Sequence, residues 1–328
     1  MTEENFHIPV LSHEAINYLI NESLEHQVIA DGTLGGGGYT KLICDKINTN
    51  DKVISIDKDL NALNYAKSKL INEKEKIIFA NGNFGDLKEI LSELNIEKIT
   101  GLVLDLGLSS YQLEAEDGFS FMKDTELDMR AYKKDEVTAA DILNSYKKEE
   151  LSELFENFGD IGKADRLSKA IIEKRKIKKF RTTFDLVEII REEYKINKKD
   201  EIDFLAKIFQ ALRIEVNREL ENLEKVLKDS VELTEKGGRI VIVSYHSLED
   251  RIVKNFFKEE SKNFKAGNNP FFDDVVTPKL KILTKKPVLP TAEEIKLNIR
   301  SRSAKPVSYT HLRAHETKAN LVCRLLLE

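Results

Sequence analysis

Four times between residues 27 and 107, a short apolar run ends in a polar residue or glycine and gives way to helical spacing. This alternation constrains the fold more than any other feature of the chain. The runs are "QVIAD" (27–31), "KVISID" (52–57), "KIIFANG" (76–82) and "GLVLDLG" (101–107). Each is apolar nearly throughout, whereas a strand with one wet face would alternate. Parallel strands covered by helices on both faces are therefore expected. The segments between them predict helices: "SHEAINYLINES" ahead of the first run with Ser12 as its cap, one after the glycines at 35–38, "DLNALNYAKSKL", and one near 86–94. The expected fold class is α/β, a doubly wound Rossmann-like sheet.

After residue 112 the alternation stops. Residues 113–204 hold charged, helix-like segments ("SYKKEELSELFENF", "ADRLSKAIIEKRKIKK", "TTFDLVEIIREEY") and no convincing strand. A long amphipathic helix is expected over "FLAKIFQALRIEVNRELENLEKVLK", and "GGRIVIVSYHS" (237–247) restores the strand pattern ahead of the helix "LEDRIVKNFFKEES". The first domain is thus read as discontinuous, residues 1–112 plus 205–305, with an all-helical domain inserted at 113–204. With 328 residues, 41% of them hydrophobic, the chain has ample material for a core.

No apolar run reaches the roughly 18 residues of a membrane span, and "MTEENFHIPV" lacks the order of a secretory signal. A cytoplasmic protein is expected. Cys44 and Cys323 lie too far apart to suggest a disulfide framework or a metal site, and Cys44 reads as an ordinary buried residue. The formal net charge of −5 argues against a polyanion partner, yet two basic islands stand out. Residues 163–181 carry nine Lys and Arg against two acids, and residues 279–305 carry eight against two. Each island reads either as a solvated face or as a nucleic-acid contact.

The loop "ADGTLGGGGYTKL" (30–42) narrows the ligand. A phosphate-binding P-loop needs Gly-Lys-Ser/Thr at its end, and here the glycines lead into Tyr39-Thr40-Lys41. The dinucleotide fingerprint finds two of its three glycines from Gly35 onward, with Thr40 at the third place. A third pattern fits better: Asp31, Thr33, Gly35 and Gly37 at every second position, where missing side chains let main chain approach the methionyl half of S-adenosyl-L-methionine. Asp57 ends the next strand, where a carboxylate can accept from both ribose hydroxyls; its alternative role is to cap the following helix. Asn83 and Phe84 close the third strand at the adenine position, and Asp105 closes the fourth beside the same crevice.

These residues bring the chain into register with a known family. It resembles the bacterial RsmH (MraW) methyltransferases through "HIPVLSHEA", "ADGTLGGGGYT", "DLGLSSYQL", "DGFSF", "ELDMR", "FQALRIEVNREL", "GGRIVIVSYHSLEDRIVKNFF" and "KKPVLPTAEEIKLNIRSRSAK", over residues 6–305. The resemblance implies a class I methyltransferase sheet and methylation of N4 of a cytosine in the decoding region of small-subunit ribosomal RNA, with RNA or the assembled subunit as partner. It places the cofactor on Gly37, Gly38, Tyr39, Asp57, Phe84, Asp105 and Gln112, and makes 113–204 the substrate-side domain. The family carries His where this chain has Tyr39. After "SRSAK" the family continues into a final strand, whereas this chain reads "PVSYTHLRAHETKANLVCRLLLE", which resembles translated sequencing-adapter read-through. Residues 306–328 are therefore expected to be non-native, leaving His311, His315 and Cys323 without function, and the last strand missing or supplied by "NLVCRLLLE".

A cytosine amino group needs an acceptor for its proton. Asp105 is the first candidate, with Ser109, Ser110 and the Ser244-Tyr245-His246 stretch as helpers; His246 reads equally as a helix cap. A flipped base calls for aromatic faces, and Tyr111, Phe119, Phe121 and Tyr245 are available as stacking groups or as core. Arg130, Lys176, Lys178, Lys179 and Arg213 are expected to track the RNA backbone, and no metal is expected. A nicotinamide-dependent dehydrogenase and a non-enzymatic RNA-binding assembly factor are the alternatives.

Overall fold

A computed structural model describes residues 9–107, 117–266, 273–275, 277–284, 290–291, 296 and 305–311. It divides into two compact units, Met1–Gly107 with Asn222–Glu328, and Leu108–Glu221. The sequence pattern put those boundaries at 113 and 204. The second unit extends to Glu221 because Leu205, Ile208, Phe209, Leu212 and Val216 all belong to its core.

The first unit opens with α1 (Ser12–Leu19), β1 (Val28–Asp31), α2 (Gly38–Lys46), β2 (Lys52–Asp57), α3 (Leu60–Lys69), β3 (Ile77–Asn81), α4 (Leu87–Glu93) and β4 (Ile99–Asp105). Its strands fall on the four apolar runs. Ser12 is the first helical residue of α1 and not its cap; Leu11 holds the cap position at φ 51°, in the left-handed region. After the second unit, the chain returns through α10 (Glu219–Leu233), β5 (Thr234–Ser244) and α11 (Ser247–Glu260), and ends the sheet with β8 (Leu280–Ile282) and β9 (Lys305–His311). Two short strands, β6 (Phe264–Ala266) and β7 (Asp273–Val275), pair with each other. The main sheet runs β3-β2-β1-β4-β5-β9-β8. The first five strands are parallel, and β9 lies antiparallel to β5 from Ser244↔Lys305 to Arg239↔Thr310. The edge beside β5 is thus filled by "KPVSYTH"; "NLVCRLLLE" lies outside the described residues.

Successive residues of each strand face opposite layers, which is why the runs are apolar throughout. Ala30, Ile54, Ile56, Leu102, Leu104, Ile240 and Ile242 meet Leu87, Leu91, Leu223, Val226 and Leu227 on one side. Ile29, Val53, Val103, Val241 and Val243 meet Leu11, Ile16, Leu19 and Ile43 on the other. The strand order reverses direction between β1 and β4, and in such sheets the crevice outside the carboxyl ends at that point is where ligands sit.

The second unit is helical: α5 (Ala139–Ser145), α6 (Lys148–Gly159), α7 (Asp165–Ile177), α8 (Thr183–Glu193) and α9 (Lys198–Asn217). Thr138 and Thr182 start α5 and α8 with capping boxes closed by Asp141 and Asp185. Fully buried Phe155 and nearly buried Phe180 anchor its core with Leu167, Ile171 and Leu186. The single long helix expected from residue 204 onward is two helices. Arg218, at φ 49°, breaks it between α9 and α10. Just before the break the Asn217 amide is committed elsewhere, accepting from Ala131 N–H at 2.9 Å and donating to the Met129 carbonyl at 2.8 Å. Among the described residues, no helix is long and apolar enough to cross a membrane.

Candidate functional site

Three neighbouring strands, β2, β1 and β4, each end in an aspartate, so Asp57, Asp31 and Asp105 line one stretch of the sheet rim. Among the described residues none of the three forms an ion pair. Asp31 is fully buried; Oδ1 accepts from Thr33 N–H at 3.2 Å and Oδ2 from the Thr40 hydroxyl at 2.7 Å, which also meets Ser55 Oγ at 2.8 Å. Burial pushes its pKa up to about 6, against the pull of those hydrogen bonds. Asp57 accepts Gly35 N–H on Oδ2 at 2.8 Å and Asp59 N–H on Oδ1 at 2.9 Å, and burial raises its pKa as well. The helix-capping alternative for Asp57 is taken by Asp59, whose side chain accepts from Asn61 N–H.

Asp105 is held from two directions. Its N–H donates to Thr33 Oγ1 at 2.7 Å, and its Oδ1 accepts from the Tyr245 hydroxyl at 2.6 Å. Burial pushes the carboxyl up to about 7, with the nearby charges of Asp31 and Glu249 adding to the rise and the Tyr245 hydrogen bond opposing it. Burial and the adjacent Asp105 charge in turn push the Tyr245 phenol well above its usual range. The Tyr245 ring packs so closely over Gly107 that a Cβ there would lie 2.8 Å from it.

The glycine loop is stitched to both flanking strands. Gly32 N–H donates to the Val103 carbonyl and Leu34 N–H to the Ile56 carbonyl, each at 3.0 Å. Gly35 (φ 49°) and Gly37 (φ 80°) occupy the left-handed region, and Gly37 caps α2, whose first residue is Gly38. A Cβ on Gly37 would come 2.9 Å from Leu70, and one on Gly32 would come 2.3 Å from Leu104 and 3.1 Å from Phe84. The loop is thus narrow because only hydrogen fits at these points. Tyr39 is buried, and its hydroxyl donates to the Val10 carbonyl at 2.6 Å. Asn83 caps the short 3-10 turn Phe84–Asp86, accepting from Gly85 N–H at 2.9 Å, and Phe84 packs partly buried against the sheet core.

His246 is the N-cap of α11; its Nδ1 accepts from Glu249 N–H at 3.4 Å, and its Nε2 stands 3.0 Å from Glu249 Oε1. The buried Glu249 carboxylate accepts Tyr245 N–H at 3.0 Å on Oε2. Sequence reasoning overlooked Glu249, although His246-x-x-Glu249 has the spacing of a capping box, and it read Thr33 in the loop pattern without its contact to Asp105. Ser244 is buried at the end of β5. Ser109, Ser110, Tyr111 and Gln112 lie outside the described residues.

In the helical unit, Arg130 is spent internally: Nε and Nη2 donate to the two Asp128 oxygens at 2.8 and 3.0 Å, and Nη1 donates to the Asp135 carbonyl at 2.6 Å. Lys133 reaches the same carboxylate at 2.9 Å. Burial alone would raise the Asp128 pKa, but the hydrogen bonds from Arg130 and Lys133 prevail and hold it at about 2. Arg213 pairs with Glu219 at 2.9 Å. Phe119 is core, and Phe121 stacks edge-on to Phe209 at 5.5 Å. Lys176 and Lys178 form exposed pairs with Glu173 (2.8 Å) and Asp185 (2.6 Å), Lys179 is exposed, and Ile177 among them is 87% exposed.

Comparison with known proteins gives the family of the chain. Residues 4–310 match the model of the MraW methylase family. A ribosomal RNA small subunit methyltransferase H from Clostridium botulinum is 44% identical over 303 residues, covering 91% of this chain and 96% of that protein. Proteins of the same name from Finegoldia magna (39% over 303 residues, 91% and 96%) and Clostridioides difficile (40% over 301 residues, 88% and 96%) are also similar. A solved rRNA methylase from Streptococcus thermophilus superposes with a TM-score of 0.40 at 10% identity, over 92% of this chain and 94% of that one, too distant to bear on the site.

Proposed function

This chain belongs to the MraW methylase family, and from that premise we propose that it transfers the methyl group of S-adenosylmethionine to the N4 amino group of a cytosine in the decoding region of small-subunit ribosomal RNA. The observation that carries the reading is the row of three aspartates at the sheet rim, next to a glycine loop in which Gly32 and Gly37 leave no room for a Cβ. The dehydrogenase and assembly-factor readings find no support in the relatives above.

The residues present suit the cofactor. Each Asp57 oxygen takes one backbone N–H and keeps lone-pair directions for a sugar hydroxyl. The loop from Gly35 to Tyr39 offers main chain alone, with Phe84 beside Gly32 as the apolar wall for a base. The carboxylates of Asp31 and Asp105, which form no ion pair among the described residues, give the crevice a negative field that favours a cationic ligand when ionised. When bound, S-adenosylmethionine supplies an activated methyl group. The protein's own part is to hold the amine in line with it, exclude water and receive a proton. Asp105 receives that proton, and its pKa of about 7 lies where a base works best at neutral pH.

Lys176, Lys178 and Lys179, at the end of α7, contact the RNA backbone. Arg130 and Arg213 act by holding the helical unit together. The enzyme works in the cytoplasm on RNA or on the assembled subunit. The test is mass mapping of ribosomal RNA after incubation of small subunits from cells lacking this protein with enzyme and cofactor. One cytosine gaining one methyl group is expected. Cofactor binding without any methylated base would refute the catalytic reading and favour a binding factor.

A further inference from the structure

We propose that Tyr245 is a positioning residue for the reaction: its hydroxyl fixes one oxygen of Asp105, so that the other is presented to the substrate amine. The inference rests on the methyl-transfer reading and adds a residue to it. Three observations carry it. The Tyr245 hydroxyl lies 2.6 Å from Asp105 Oδ1, a distance typical of a strong bond to a carboxylate. The ring packs directly over Gly107, where a Cβ would lie 2.8 Å from it, so the glycine is what lets the phenol reach Asp105. The backbone of Tyr245 is itself clamped, since its N–H donates to the buried Glu249 carboxylate, which also closes the cap of α11. A chain of contacts therefore runs from α11 through Tyr245 to the end of β4.

The proton balance requires such a device. As the N4 lone pair forms the N–C bond and the departing sulfur keeps the methyl–sulfur pair, the nitrogen is left with one surplus proton. The N–H bond breaks, an O–H bond forms on Asp105, and the carboxylate charge is cancelled. A carboxylate that rotated freely would present either oxygen at random and lose the alignment on which the transfer depends. Among the described residues, the ionisable groups facing Asp105 are Asp31 from β1, Glu249 from α11 and Tyr245 after β5. Both acids disfavour its charge, and the phenol favours it. Removing the hydroxyl should therefore make Asp105 harder to ionise.

The Tyr245→Phe variant keeps the ring over Gly107 and removes only the hydroxyl. Asp105 is followed by carbon-13 carboxyl resonance in the ligand-free protein, and methyl transfer is followed against pH. In the variant, the Asp105 titration should move to higher pH and the acid limb of kcat should move with it. At neutral pH kcat should fall about tenfold with KM for the RNA within about twofold, because alignment is lost and binding is not. Combining Tyr245→Phe with Asp105→Asn should cost no more than Asp105→Asn alone. An unshifted Asp105 titration, or an equal loss of rate at every pH, would overturn the inference. Absence of methyl transfer by the unmodified enzyme would instead refute the proposed function, while the titration in ligand-free protein would still decide the Tyr245–Asp105 coupling.

Discussion

Carboxylates are treated in opposite ways by the two units. In the helical unit Asp128 is bracketed by Arg130 and Lys133, and Asp185 by Lys178 and two backbone N–H groups, and both titrate below the usual range. At the sheet rim Asp31, Asp57 and Asp105 are held by backbone N–H groups and hydroxyls, among the described residues none of them forms an ion pair, and all three titrate above it. Paired charges stabilise the fold that holds them. Unpaired buried charges cost stability, and a site that tolerates them has a use for the charge when its ligand arrives. The helical unit has completed its electrostatics internally, whereas the rim has left its own open.

Substitutions can break or sharpen this contrast. The largest effect is expected at Asp105. Asp105→Asn removes the proton acceptor while keeping the Tyr245 contact, and methyl transfer should fall by at least about 100-fold, the usual contribution of a positioned base. A loss of less than about threefold would leave the rim carboxylates without a chemical role.

Next come the opposite pH dependences. Asp31 binds its proton more tightly in the folded than in the unfolded chain, so the folded state carries more protons between the two pKa values. Stability of the ligand-free protein should therefore decline as pH rises from about 4 to about 6, by about 3 kcal/mol from this group, and Asp31→Asn should remove that decline. Asp128 behaves in reverse. Its folded pKa of about 2 means a contribution of about 2 kcal/mol, present above pH 4 and lost as pH falls toward 2. Asp128→Asn should cost about that much at neutral pH in denaturant unfolding. If both variants responded to pH with the same sign, the contrast between the units would fail.

The smallest effect is expected on the exposed end of α7. Charge reversal at Lys176, Lys178 and Lys179 should weaken RNA binding about tenfold at moderate salt and flatten its salt dependence, with cofactor affinity untouched. Equal loss of RNA and cofactor binding would count against a backbone-contacting role for these lysines.

The sheet was legible because buried parallel strands write themselves as unbroken apolar runs, and "KVISID" spans β2 residue for residue. Asp31, Asp57 and Asp105 were legible for a related reason: a carboxylate closing an apolar strand stands out against its surroundings. What the pattern could not supply was contact between distant segments. The Tyr245–Asp105 bond joins residues 140 apart, and Thr33 reaches the end of β4 across 72. Nor does periodicity register one left-handed residue, so the break at Arg218 was invisible within an amphipathic stretch that continues on both sides. Arg130 and Arg213 read as free cations because the acids that engage them, Asp128 and Glu219, look unremarkable in the sequence.

The most direct test of the rim as a cofactor site is titration calorimetry of the ligand-free protein with S-adenosylmethionine, alongside Asp57→Ala. One molecule should bind per chain, and the substitution should weaken it by at least about 100-fold, the lower end for two hydrogen bonds to a charged acceptor. Identical binding heats and affinities in the two proteins would contradict the placement of the cofactor on the sheet rim.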